Sequence, residues 1–188
     1  MTEKRENRAG ILINPEDAVL LIIDIQERLV PVMHDKEGLI RGTVKIVKFW
    51  RLLDLPIVLT EQEKLGSTVE QIRAELPDDL SPITKLHFDC FSAPGFPEKL
   101  KALGRSNLIV TGIETHICVM QTVLHGLCQY NIHVVQDAVD SRYPFNKEAG
   151  LRRMEQAGAV ISTTEMVMFE LLKMAGTETF RQVLPLVK

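Results

Sequence analysis

Residues Ala18-Val19-Leu20-Leu21-Ile22-Ile23-Asp24 place six apolar side chains in a row and close the run with a carboxylate. Successive side chains of a strand face opposite sides, so a strand wetted on one face alternates apolar and polar positions. A run without alternation must be covered on both faces. That is the situation of a central strand in a parallel sheet, and parallel strands need crossover helices to join them. This short run therefore asks the rest of the chain for alternating strands and helices.

The rest supplies them. Leu39 to Leu53 carries apolar residues at helical spacing, among them Ile40, Val44, Val47 and Trp50, and predicts a helix with a broad apolar face. Pro56 opens a second strand, Ile57 to Thr60. Glu61 to Leu76 is polar and reads as loop plus a short helix, and Ser81 to Lys85 as a short third strand. Phe96 to Leu103 reads as a helix stopped by Gly104. Leu108 to Thr111 is a fourth strand, followed by a helix from Cys118 to Tyr130. Ile132 to Val135 and Ala159 to Ser162 are the fifth and sixth strands. Helices over 146–156 and 164–174 complete the pattern, with Tyr143-Pro144-Phe145 leading into the first of these.

Six strands with helical crossovers make a three-layer α-β-α domain around a parallel sheet, an α/β and Rossmann-like architecture. No repeat or linker divides it, so residues 14–188 read as one domain. Residues 1–13 are charged and mixed in sign (Glu3, Lys4, Arg5, Glu6, Arg8) and read as a flexible arm or an oligomer contact. They contain no apolar segment of signal-peptide type. No apolar run reaches the roughly 18 residues that span a bilayer.

The net charge is −3, and the basic residues are scattered rather than striped, so neither nucleic acid nor an anionic membrane is expected as the main partner. Three cysteines at irregular spacing, Cys90, Cys118 and Cys128, do not form a disulfide framework or a zinc motif, and a cytosolic protein is expected. On one continuous helix Cys118 and Cys128 would stand about 15 Å apart and could not bond. No G-x-G-x-x-G follows the first strand, which disfavours a dinucleotide.

In open α/β sheets ligands bind beyond the carboxyl ends of the strands. Asp24, Lys85 and Cys118 each end or follow such a strand. The turn Gly112-Ile113-Glu114-Thr115-His116-Ile117 brings Cys118 to a helix N-terminus, which favours the thiolate, the nucleophilic form. Cys118 can attack a carbonyl, Asp24 can accept and return the proton, and Lys85 can hold Asp24 and bias the thiol toward thiolate. Backbone N–H groups of the turn can donate to the oxyanion. The constellation suits acyl transfer from a small amide.

Each residue also has a plainer reading. A lone cysteine is commonly a small core residue, an aspartate a cap, and a lysine a surface group. Cys90 and Cys128 keep that reading, one in a loop and one on a helix face. Gln26 either meets substrate or satisfies backbone. Phe88, Phe91 and Phe96 either line a pocket or belong to core or interface. His116, two residues before Cys118, is a substrate-pocket candidate and a rival base of a Cys–His pair. His125 and His133 read as a helix-face and a strand residue.

Leu21-Ile22-Ile23-Asp24-Ile25-Gln26, Lys85 ahead of Phe91-Ser92, and Thr111-Gly112-Ile113-Glu114-Thr115-His116-Ile117-Cys118-Val119 stand here in a specific order. With them the chain, from about Ala18 to Leu172, resembles the isochorismatase-like cysteine hydrolases, which include nicotinamidases and N-carbamoylsarcosine amidohydrolase. The wording around Cys118 is most similar to small isochorismatase-domain proteins of uncertain substrate. The resemblance implies that fold, an Asp24–Lys85–Cys118 triad, and a cis peptide between Ile113 and Glu114 that aims the N–H groups of Glu114 and Cys118 at one oxyanion. It also implies a homo-oligomer, as a dimer, tetramer or larger ring with pockets near interfaces.

The chain departs from the family in three places. Metal-containing nicotinamidases carry Asp-x-His after the second strand. Here stands Leu59-Thr60-Glu61-Gln62-Glu63-Lys64, with no histidine between His34 and His87, so no metal and no other cofactor is expected. Isochorismatases of siderophore pathways lack the cysteine, so Cys118 argues against vinyl-ether chemistry. Glu114 replaces a small residue of the nicotinamidases and either narrows the pocket or rejects anions. The expectation is a cysteine hydrolase for a small amide-like or ureido-like C–N bond. Its competitors are a non-catalytic oligomeric scaffold that keeps the pocket, and a redox-sensing thiol protein.

Overall fold

The central sheet joins six parallel strands in the order β3-β2-β1-β4-β5-β6 in a computed structural model that describes residues 12–187. Strand β1 (Ala18–Ile23) is buried at all six positions, as its unbroken apolar run requires. It lies between β2 (Ile57–Gln62) and β4 (Asn107–Ile113). The α/β fold read from the sequence is thus borne out. Of the arm expected over 1–13, residues 1–11 lie outside the described residues. Ile13 is fully buried, and its N–H donates to Glu170 Oε2 over 3.1 Å.

Chain order gives α1 (Lys36–Leu52), the short α2 (Glu70–Arg73), β3 (Ile83–Lys85) and α3 (Phe96–Leu103). After β4 come α4 (Met120–Gly126), β5 (Asn131–Asp140), α5 (Pro144–Gln156), β6 (Val160–Ser162), α6 (Thr164–Leu172) and α7 (Glu178–Val187). Helix α1 starts at Asp35, whose carboxylate accepts from Gly38 N–H over 2.9 Å, and buries Leu39, Ile46, Val47, Phe49 and Trp50 on one face. That face, with Val167, Met168, Leu171 and Val183 of α6 and α7, makes the core on one side of the sheet. Phe96, Leu100, Val119, Val123 and Met154 make the core on the other.

Three elements differ from the sequence reading. Strand β5 runs ten residues rather than four. Its polar stretch Gln136-Asp137 lies beyond the end of β6, whose pairing stops at Val135–Ser162, so these side chains face solvent and hide the strand in the sequence. The helix expected from Cys118 to Tyr130 begins at Met120 and ends at Gly126, and a wide turn, Thr115–Val119, precedes it. Helix α7 was not expected at all, since it is short and contains Pro185. It exists because Val183 docks into the core and Thr177 Oγ1 accepts from Phe180 N–H over 3.0 Å.

The strand order reverses direction between β1 and β4, which opens a crevice at their carboxyl ends. Gly112 makes this junction possible. Its φ is +143°, and a Cβ there would stand 2.4 Å from the Ile23 carbonyl oxygen. Only glycine lets β4 pass this close to the end of β1. Asp24, the residue after β1, turns with φ of 55°, a left-handed conformation that Asp tolerates better than most side chains.

Candidate active site

Asp24, Lys85 and Cys118 meet at that crevice. Lys85 is the last residue of β3, and its Nζ lies 2.5 Å from Asp24 Oδ2 with neither side chain exposed. Nζ also donates to Gln62 Oε1 at 3.0 Å and to the carbonyl oxygens of His87 and Phe88 at 3.2 and 3.4 Å. The other Asp24 oxygen, Oδ1, accepts from Thr60 Oγ1 at 2.8 Å. Asp24 N–H donates to the Thr60 carbonyl at 3.2 Å. Both carboxylate oxygens are thus held. The Cys118 thiol, in a residue only 7% exposed, lies within electrostatic reach of the same carboxylate.

The electrostatics reverse one sequence expectation. Burial pushes the Cys118 thiol well above its ordinary range, the Asp24 charge pushes it further, and the Lys85 ammonium opposes both without overcoming them. The resting group is therefore a thiol, not the thiolate that a helix N-terminus and a lysine led the sequence reading to expect. Desolvation wins because the thiol sits in the apolar second core. Burial alone would lower Lys85, but the Asp24 charge holds it above its usual range. A neutral thiol beside a buried carboxylate is arranged for proton transfer during attack rather than before it.

The turn before Cys118 contains the cis peptide Ile113–Glu114. Val119 N–H reaches back to the Glu114 carbonyl at 3.3 Å, and Met120 N–H to that of Thr115, which sets the turn's width. Thr115 Oγ1 ties the turn to β5 through the Asp140 carbonyl at 2.9 Å. Helix α5 approaches from behind, where a Cβ on Gly150 would meet the His116 backbone at 3.1 Å.

Other candidates separate clearly. The Glu114 carboxylate is engaged by Arg142 Nε at 2.6 Å and His116 Nδ1 at 3.5 Å, so its charge is compensated rather than presented bare to a substrate. His116 Nδ1 also meets Ser141 Oγ at 3.1 Å; with Glu114 and Ser141 as its partners, it is not the base of a Cys–His pair. Gln26 is fully buried and used up by backbone. Its Nε2 donates to the Gln62 and Gly66 carbonyls, and its Oε1 accepts from Gln62 N–H, so the substrate-contact reading gives way to the structural one. Phe88 is 54% exposed, with only its carbonyl turned to Lys85. Phe91 packs on Phe96, His125 and Tyr130, so it belongs to the second core rather than to a pocket wall.

Cys90 and Thr60 were missed in these roles. Cys90 is fully buried, as its core reading has it, but its Sγ also stands 3.9 Å from Thr60 Oγ1. The only sequence signal for Thr60 is a polar residue that ends the apolar part of β2. Cys118 and Cys128 are both free; the first is buried and the second exposed. The largest grooves described, about 530 and 580 Å³, run along the open edge of β5 and do not include Cys118. Their facing acids and bases, Asp35, Asp137 and Asp140 against Arg41, Lys45 and Lys147, form no reactive constellation, so the chemistry is placed at the triad. Among the described residues no group of three His, Cys, Asp or Glu side chains is disposed to hold a metal ion. None of the described helices is long and apolar enough to cross a membrane.

Comparison with known proteins agrees with this fold. The isochorismatase-domain family model matches residues 18–166. The secreted isochorismatase effector Isc1 of Phytophthora sojae is 36% identical over 191 residues, covering 96% of this chain and 89% of its own. Isochorismatase domain-containing protein 2A of Mus musculus is 34% identical over 183 residues, covering 94% and 85%. The solved structure of MAR1 ribonuclease from Caenorhabditis elegans is similar with a TM-score of 0.87 at 31% identity, covering 93% and 91%.

Proposed function

From the premise that this chain belongs to the isochorismatase-domain family, whose hydrolase fold supports a hydrolytic function, we propose that it is a cysteine hydrolase of small amide-like C–N bonds. One observation carries the reading. A buried carboxylate, Asp24, is held by a lysine and a threonine donor, and its charge acts on the buried Cys118 thiol at the carboxyl edge of the sheet.

Cys118 Sγ attacks the carbonyl carbon while its proton passes to Asp24. The oxyanion is received by the N–H groups of Glu114 and Cys118. Asp24 returns the proton to the nitrogen, the C–N bond breaks, and an amine or ammonia leaves a thioester on Cys118. Asp24 then takes a proton from water, the hydroxide oxygen bonds to the acyl carbon, and the thiol is restored as the acid departs. Lys85 stays protonated throughout and keeps Asp24 in place. Isochorismate hydrolysis, named for the Phytophthora relative, would leave the Cys118 nucleophile without a task, which favours the amide reading. The ribonuclease activity named for the nematode protein finds little support in a chain of net charge −3.

We further propose a homo-oligomer. Leu86, Phe88, Tyr143 and Phe145 are all more than half exposed and follow closely on Lys85 and Asp140, at the edge that carries the site. Three free thiols fit a reducing compartment such as the cytosol.

A second reading, an oligomeric domain that keeps the pocket without turnover, is favoured by the near-complete burial of Cys118. Redox sensing is disfavoured, since sensor thiols are exposed and readily ionised. The test is amine release from a panel of small amides and ureides by the wild type, Cys118→Ala and Cys118→Ser. Turnover that depends on Cys118 supports the hydrolase; no turnover by the wild type supports the scaffold.

A further inference from the structure

Thr60 holds Asp24 twice, once by each end of the residue. Its carbonyl accepts from Asp24 N–H at 3.2 Å, and its hydroxyl donates to Asp24 Oδ1 at 2.8 Å. Strand register sets Thr60 beside Ile23, the residue before Asp24, so the contact is built into the sheet rather than into a loop. A hydroxyl has one proton to give. If it goes to Asp24, the oxygen is left as an acceptor, and Cys90 Sγ stands 3.9 Å away to donate into it. Cys90 is suited to that task. Its thiol is pushed up to about 12, first by burial, so it keeps its proton. Its N–H is anchored to Thr122 Oγ1 at 3.0 Å, and Thr122 lies on α4, four residues beyond Cys118. Asp24, Thr60, Cys90 and Thr122 are all 1% exposed or less.

We infer that Thr60, aligned by Cys90, is a positioning residue that orients the Asp24 carboxylate toward the Cys118 thiol. The inference rests on the reading of Asp24 as the proton acceptor for Cys118 and adds a second donor to the triad. Lys85 secures Oδ2 and Thr60 secures Oδ1. The path Asp24–Thr60–Cys90–Thr122 also leads back to the helix after the nucleophile, so acceptor and thiol are braced against one another through fully buried hydrogen bonds.

The consequence is chemical. A hydroxyl that donates to Oδ1 fixes the plane of the carboxylate. Without it, Asp24 turns more freely and presents an oxygen to the Cys118 proton less often, so the sulfur is less available. A residue that only filled space would have no such effect.

The test is the rate of Cys118 alkylation by chloroacetamide at pH 8, read by intact mass, in the wild type and in Thr60→Val, Thr60→Ala and Thr60→Ser. Melting temperatures run alongside, and the alanine variant serves if valine does not pack. Valine and alanine should slow alkylation about three- to tenfold, and serine should restore it to within about twofold. Wild-type rates in a folded Thr60→Val or Thr60→Ala, or a serine variant as slow as valine, would overturn the inference. Alkylation needs no substrate, so a wild type that hydrolyses no amide would refute the hydrolase reading separately. Where turnover is found, kcat should fall in Thr60→Val with KM little changed.

Discussion

Lys85 Nζ and Asp24 Oδ2 stand 2.5 Å apart, in side chains that do not reach solvent at all. Neither charge can be removed alone without stranding the other in the core. Lys85→Met should therefore destabilise the fold by about 3–5 kcal/mol in urea titration, and Asp24→Asn by a similar amount. Either variant that still folds should lose at least about a hundredfold in kcat. A Lys85→Met protein with wild-type stability would contradict the buried pair.

The protonated state of Cys118 gives a pH signature. Its thiol lies above the ordinary range, chiefly through burial and then through Asp24, so the thiolate fraction keeps growing through neutral and mildly alkaline pH. Chloroacetamide alkylation of Cys118 should rise about tenfold per pH unit from pH 6 to 9 without levelling. A plateau near pH 7 would mean that Lys85 and the turn outweigh burial.

His133 predicts a separate effect on stability. It lies on β5, 3% exposed, with Nδ1 lacking a hydrogen-bond partner among the described residues, and burial lowers its pKa to about 4. The folded value is below the unfolded one of about 6.5, so the unfolded chain takes up the proton first. This contribution is whole above pH 6.5 and is lost as pH falls toward 4. Unfolding free energy should drop by about 2–3 kcal/mol across that window from this group. His133→Leu should flatten that part of the profile, and an unchanged slope in the variant would refute it.

How much of this the sequence disclosed follows from the range of each interaction. The unbroken run ending at Asp24 announced a central strand and a charge at its carboxyl end, because burial on both faces leaves a direct mark on composition. Cys118 was visible through its glycine turn. Lys85 was visible only as the charged end of a short strand candidate, and its plain reading as a surface lysine gave way through the resemblance. Thr60 and Cys90 were missed because their roles arise from strand register and from a buried turn 30 residues away. Gln26 and Phe91 stayed open between substrate and structural roles because sequence distance to Asp24 and Lys85 does not say which way a side chain turns. The ionisation of Cys118 was misjudged for the same reason, since it depends on the depth of the crevice more than on neighbours in the chain.

The central claim is that Cys118 forms a thioester with substrate. Rapid acid quenching of the protein during amide turnover, followed by intact mass and peptide mapping, tests it most directly. The account predicts a mass gain equal to the substrate's acyl group, located on the peptide that contains Cys118 and absent from Cys118→Ala. Undiminished amine release by Cys118→Ala, with no adduct on the wild type, would contradict it.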